Sequence, residues 1–508
     1  MDRRYFNIHI LGLFLGFTKL TKATQSNNNV VSCLDISRNV DIKEMGAKGD
    51  GITDDTKVFR LAIKNFNNIH IPFSNNPYVI TAALELPKGV KIYSKSIVRP
   101  KLLFSGDIKV CIYMHDNTVI DNLEIDGGFS GVIGGSVVIQ MQGKKSKVLN
   151  SVIVKGGVYN ILMQCKEGRV SNCSVMNSHG TGIALRSENC RYNNLNDITI
   201  KNNHGFGIWV TDKASFNIIK DNKCKDNRLE FCGITYDAHH NLVGGNTIVG
   251  SGDNAISVTG YGNIIEKNCC ESSNYHGIGV YGEANIILQN KCENNGQHNL
   301  LRNKNLNYSG IALVPNFGGF ARFNIVIDNI CSETQIIKTQ IYGIKLERSQ
   351  YKSWNRGKIV KANLRYAAND GNVYYAEGHL NEESVTGSVE PTHNHGSCSD
   401  GAIIWKWIGS FDKGLDGDYH LQRLKNIFRD MRFYHLNKPV SNMVDILVSC
   451  VSSLNKTQFS DRNTSECNVE RCSIDATCNY LIGNDCRGNY VKDVGVMSRN
   501  INHVKNIR

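Results

Sequence analysis

Two short sequence frames alternate through the middle of the chain, and repetition at this spacing rules out closure around a single globular core. The first frame reads GIAL at Gly182, GIWV at Gly207, GITY at Gly233, AISV at Ala255, GIGV at Gly277, GIAL at Gly310 and GIKL at Gly343. Its isoleucines lie 25, 26, 22, 22, 33 and 33 residues apart. The second frame falls between these and centres on asparagine, as in NNLNDITI, NIIKDNKC, NLVGGNTI, NIIEKNCC, NIILQNKC and NIVIDNIC. Each frame alternates apolar with polar residues, the period of a strand with one buried face, and no helical spacing lies between them. Two such strands per repeat predict a solenoid of short strands, an all-β parallel β-helix.

Within that solenoid Asn196, Asn222, Asn246, Asn268, Asn290 and Asn329 are expected at one corner of successive coils. Asparagine tolerates the left-handed backbone region, and its amide can bond to its counterpart one coil away. Cys224, Cys270, Cys292 and Cys331 each follow one of these asparagines by two residues, which predicts a column of reduced thiols inside the solenoid. Coils about 4.8 Å apart also leave a disulfide sterically open. The later Cys450, Cys467, Cys472, Cys478 and Cys486 contain no CxxC pair and no well-spaced histidine, so no zinc site is expected.

The 508 residues include 58 Lys+Arg against 46 Asp+Glu, a net charge of +12 that favours an acidic partner. The basic residues are scattered, with no dense arm or basic aromatic helix, which argues against nucleic acid and leaves an acidic polysaccharide or anionic lipid. The N-terminus, MDRRYFNIHILGLFLGF, is too short and interrupted to span a membrane, and no other segment could. Through Arg3, Arg4 and Phe6 it resembles a twin-arginine export signal, while Asn7 and His9 break its apolar run; residues 1–30 are read as a signal or an attachment peptide.

Gly46 to Thr56, GAKGDGITDDT, packs three glycines and three aspartates ahead of KVFRLAIKNF. A calcium loop would need ligands at alternate positions and a closing glutamate, which are missing. With IHIPFSNNPYVIT and LELPKGVKIYS, this stretch resembles the start of the pectate-lyase-like right-handed β-helix superfamily, found in polysaccharide-degrading enzymes and phage tailspikes. The likeness covers roughly residues 40–350. It implies a right-handed, single-stranded parallel β-helix whose open end is plugged by a helix. Thr53, Asp54 and Asp55 would cap that helix, and Val58, Leu61, Ala62 and Phe66 would form its apolar face.

GNVYYAEG and EPTHNHGSCSDGAIIWKWIG look like a small β module that recurs in phage tail proteins and is described there as carbohydrate-binding. Trp405 and Trp407 alternate on one strand face, where they either stack on sugar rings or pack the module's own core. The domain reading is an attachment or signal peptide over 1–30, cap and first coils over 31–100, β-helix over 101–357, β module over 358–409, and C-terminal coils or an oligomerisation region over 410–508.

A solenoid offers no deep pocket, so chemistry is expected on outward side chains of neighbouring coils. Aligning the first frame on its isoleucines gives one outward column, Arg186, Thr211, Asp237, Thr259, Tyr281, Val314 and Glu347. Two residues on, a second column reads Glu188, Lys213, His239, Tyr261, Glu283 and Asn316, continued by Arg348 one residue past Glu347, with Trp209 and Asp212 alongside. A hydrolase would draw two carboxylates from Asp212, Asp237, Glu188 and Glu283. A lyase would use His239, Lys213 or Tyr281 as base and Arg186 to stabilise an enolate. His179, His204 and His276 are read as turn residues, and neither a metal nor a cofactor is expected.

The resemblance implies a phage tailspike-like depolymerase of a bacterial surface polysaccharide, most simply an acidic capsule, with lyase chemistry favoured slightly over hydrolysis. It would be a homotrimer attached to a virion tail. The alternatives are an exported bacterial polysaccharide lyase or uronate epimerase, secreted or periplasmic, and a non-catalytic receptor-binding adhesin.

Overall fold

The computed structural model describes residues 39–129, 136–235, 237–302, 306–314, 321 and 323–346. Beyond these it describes 351–353, 356–357, 359–360, 365–367, 372–377, 386, 390–393, 396–400, 403–410, 425–431, 480–482, 484–486, 495–496 and 504–505. Short parallel strands stack into three sheets: sheet I with 14 strands, sheet II with 11 and sheet III with 12 among the described residues. Each coil runs from sheet III to sheet I to sheet II, as in Thr181–Arg186, Asn194–Asn196 and Thr199–Lys201. The triplets show why these sequences form strands. Leu195 and Ile200 are buried between polar neighbours, so the alternation places one side chain inside the tube and its neighbours outside.

All three corners of the tube are tied by asparagine ladders. At the corner between sheets I and II, the backbone N–H and side-chain amide of Asn222 donate to Oδ1 of Asn246 at 3.0 and 2.9 Å. The same pattern continues through Asn268, Asn290 and Asn329 to Asn484. Asn196 lies outside this ladder; the N–H of Ile198 occupies its rung and donates to Asn222. The left-handed residue is the one before each ladder asparagine, Asp221, Lys267, Gln289 and Asp328 among them. A second ladder, Asn193, Asn217, Asn241, Asn263, Asn285 and Asn324, ties the corner between sheets III and I. Asn203 and Asn227 begin a third between sheets II and III.

Cys224, Cys270, Cys292 and Cys331 form the expected inward column, with Ile248 between the first two, and all four are free thiols. Burial pushes the thiols of Cys111 and Cys165 elsewhere in the core up to about 12, so they stay protonated. Of the later cysteines Cys486 is described; the other four lie outside the described residues.

The helix Thr56–Asn65 packs on the first coils. Its buried face is Phe59, Ala62 and Ile63, while Leu61 is 50% exposed. The expected face was therefore rotated, and Phe59 meets the Tyr78 ring edge-on at 5.8 Å. Asp55 occupies the N-cap position, yet its carboxylate accepts from the N–H groups of Lys48 and Gly49, tying down the preceding turn. Asp54 accepts the Thr56 N–H instead. Asp50 gathers the Thr53 hydroxyl and the Thr53 and Ile52 N–H groups, which hold its carboxyl down to about 2.

After Leu346 of sheet III the next strand of the solenoid is Tyr480–Ile482 of sheet I. Between them in sequence lies a five-stranded, mostly antiparallel sheet spanning 351–410. Its core holds Val360, Tyr374, Ala376, Ile403 and Trp405. A helix at 425–431 follows and buries Ile427, Phe428 and Met431. Residues 1–38, Asn316, Glu347 and Arg348 lie outside the described residues.

Candidate active site

Sheet III aligns Ile183 with Ile208, Cys232, Ile256, Ile278, Ile311 and Ile344. Ile234 pairs with Val210, so alignment on isoleucine slips by two residues at this coil. Positions two apart face the same side of a strand, and the apolar pattern alone accepts either register. Thr235 takes the place assigned to Asp237, with its N–H donating to the Val210 carbonyl at 2.9 Å and its hydroxyl accepting from Trp209 Nε1 at 2.8 Å. Asp237 moves into the following turn, exposed and left-handed at φ 57°.

The outer face of sheet III carries Trp209, Gly233, Ser257, Gly279 and Ala312 on successive coils. Both glycines make room for rings. A Cβ on Gly233 would lie 2.5 Å from Phe206, and one on Gly279 would lie 2.7 Å from the Tyr281 hydroxyl. Ser257 stands between these rings and donates its hydroxyl to Glu230 at 2.8 Å. Asn254 donates its amide to Ser257 Oγ at 3.0 Å and to the Tyr281 oxygen at 3.1 Å. Its carbonyl oxygen accepts the His276 N–H at 2.9 Å, and His276 Nδ1 accepts from the Ser309 N–H at 3.0 Å.

Phe206, Glu230, Asn254 and His276 each stand two residues ahead of paired sheet III positions, so they form one column along the entry edge of the sheet. Burial, and then the charge of Asp253, raise the Glu230 carboxyl to about 7. Burial also raises Asp253 above the ordinary carboxylate range. Two carboxyl groups with elevated proton affinity thus sit at one edge of a sheet face whose glycines carry the Phe206 and Tyr281 rings. Neither carboxyl falls in the columns that follow each isoleucine; both stand in the turn before it. Glu230 and Asp253 occupy that turn on adjacent coils, and that was the available signal.

The expected residues divide into groups. Arg186 pairs with Asp212 at 2.5 Å, reaches the Tyr159 hydroxyl at 3.4 Å and lies 5.7 Å over the Trp209 ring. Tyr281 joins the Asn254 network. Glu188 is exposed and pairs with Arg191 at 3.0 Å, Lys213 is exposed, and Glu283 is 6% exposed. His239 lies 4.8 Å from Tyr261 in a ring stack, with its Nδ1 2.7 Å from Nδ1 of His240. Burial, and then His240, depress His239 to about 4, which makes it a poor base at neutral pH. Trp405 is 1% exposed and Trp407 packs against the same core, so the pair builds the module and the Trp405 ring offers no face to a sugar. Among the described residues no group of three metal-ligating side chains converges, and no helix is long and apolar enough to cross a membrane.

The family model described as "Right handed beta helix region" matches residues 108–263. The chain is a right-handed parallel β-helix. Its structure is similar to the A-module of a mannuronan C-5 epimerase of Azotobacter vinelandii, at TM-score 0.50 and 13% identity, covering 65% of this chain and 95% of that one. Gene product 12 of bacteriophage phi29 matches at TM-score 0.48 and 14% identity, covering 68% and 53%. The catalytic unit of an α-1,3-glucanase of Streptomyces thermodiastaticus matches at 0.48 and 13%, covering 60% and 65%. No curated protein sequence matches the chain.

Proposed function

We propose that this β-helix is a polysaccharide depolymerase that hydrolyses glycosidic bonds on the outer face of sheet III, with Glu230 as general acid and Asp253 as the second carboxyl group. One observation carries the reading: Glu230, raised to about 7, is held by Ser257 between the Phe206 and Tyr281 rings that lie over Gly233 and Gly279. Glycosidic hydrolysis needs one carboxyl still protonated at the working pH and a second to activate water or attack the sugar. A lyase would need a cation free to stabilise an enolate. Arg186 is paired with Asp212, and Lys345 Nζ donates to the Asn307 carbonyl at 3.1 Å. The same pairing favours an uncharged residue at the cleaved bond over the acidic one expected from net charge.

The fold similarity to a mannuronan C-5 epimerase supports a polysaccharide as the partner. The resemblance of residues 358–409 to phage tail modules supports a virion-tail tailspike acting on a bacterial capsule as a homotrimer. Light scattering on the full chain tests the last point, with a monomer mass contradicting it. For the chemistry, the protein is incubated with alginate, α-1,3-glucan and purified neutral and acidic capsules, following reducing ends and unsaturated-uronate absorbance together. Reducing ends alone, abolished in Glu230→Gln, are expected. Unsaturated uronate would mean a lyase, and binding without cleavage an adhesin.

A further inference from the structure

The coil from Ile278 to Ile311 is 33 residues long, against 22 from Ile256 to Ile278. The added residues lie in the turn that enters sheet III, which contains the helix His298–Arg302. Asn299 ties together the described residues on either side of it. Asn299, 6% exposed, donates its amide to the carbonyls of Leu306 at 2.9 Å and Thr339 at 3.0 Å, and accepts the Leu306 N–H at 2.8 Å. The extension carries His298 and Tyr308 against Tyr275 of the preceding coil, with ring centroids 5.2 and 5.1 Å from Tyr275. The rings meet at 49° and 42°, so they do not cover one another face to face, and all three side chains remain partly exposed.

Their position gives the cluster a use. Asp253, Tyr275 and Tyr308 each stand three residues ahead of paired sheet III positions, and so lie in one column on successive coils. The Tyr275 N–H donates to the Asp253 carbonyl at 3.3 Å. A partly exposed aromatic cluster packed on Tyr275, one coil from a carboxyl with raised proton affinity, presents apolar ring faces at the height where the next sugar of a bound chain would pass. Aromatic faces hold the C–H face of an uncharged pyranose while its hydroxyls stay hydrated.

We infer that Tyr275, His298 and Tyr308 form a sugar-binding subsite next to the Asp253 carboxyl, selecting an uncharged ring beside the cleaved bond. The inference rests on the hydrolase reading above, and the test separates the two. Affinity is measured in the Glu230→Gln background for the polymer of the panel that the wild-type protein cleaves. Tyr308→Ala and, separately, Tyr275→Ala weaken it about five- to tenfold. Tyr308→Phe, which keeps the ring, restores it, and Leu301→Ala, a 73% exposed residue of the same extension, leaves it unchanged. His298→Ala, on the helix of the extension, provides a second variant should a tyrosine replacement disturb folding. Undiminished affinity in Tyr308→Ala and His298→Ala overturns the subsite while leaving hydrolysis standing. Full cleavage by Glu230→Gln overturns the acid assignment while the affinity losses still support the subsite. Absence of binding or cleavage across the whole panel by the wild type overturns both.

Discussion

Glu230 and Asn246 illustrate two opposite uses of a buried polar side chain. Asn246 has its partners: it accepts both Asn222 donors and gives its own amide to Asn268 and to the Ile219 carbonyl. Asn246→Ala strands the Asn222 donors and the Ile219 carbonyl, and should cost about 3 kcal/mol in chemical denaturation. Asn196→Ala, outside the ladder, should cost under about 1 kcal/mol; equal losses would contradict the ladder's register. Glu230 has the Ser257 hydroxyl and its own backbone N–H set against burial and a neighbouring carboxyl, so its charge is poorly compensated. Its folded pKa lies above the ordinary 4.5, at about 7. The stability it contributes is therefore full in acid and is lost as pH rises through that window, by up to about 3 kcal/mol.

At the scale of elements, the chain's strands were legible because alternation is local, whereas their register was not. Ile234 could sit beside Ile208 or Val210 with the same face inward, and the hydrogen bonds of Thr235 decide for Val210. That two-residue slip misplaced Asp237. The same ambiguity hides whether Trp405 and Trp407 face in or out, since alternation is identical for both faces. The docking of the helix at 425–431 was not legible in the sequence: His240 Nε2 donates to the Ile427 carbonyl at 3.1 Å, and Ile427 lies over Gly262. Burial, first, lowers both His239 and His240, with Asp430 of the same helix opposing it. Histidines depressed in this way stabilise the fold above their ordinary 6.5 and lose that contribution as pH falls toward 4. Hydrogen exchange at 425–431, corrected for intrinsic rates, should accelerate between pH 7 and pH 4, and His240→Phe should flatten that dependence. Equal protection at both pH values would contradict it.

For the molecule as a whole, the solenoid follows from what every coil repeats: an inward apolar residue in each strand and an amide at each corner. These recur in the sequence, so the architecture and the cysteine column could be read from it, whereas the helix Thr56–Asn65 came from the resemblance and its buried face did not. The candidate site comes from what is not repeated. Glu230, Asp253, the two glycines under the rings and the extended turn at His298 each occur once, and burial, which sets their chemistry, emerges only when the coils stack. A rigid ladder-tied tube suits such a site, because neighbouring coils fix side chains with little freedom to move apart. The most direct test of the account is the pH dependence of kcat/KM for the cleaved polysaccharide, compared between wild type and Glu230→Gln. Wild-type activity should fall above about pH 7 as Glu230 loses its proton, and Glu230→Gln should lose cleavage while keeping affinity. An alkaline limb that persists in a Glu230→Gln protein still active near the wild-type level would contradict it.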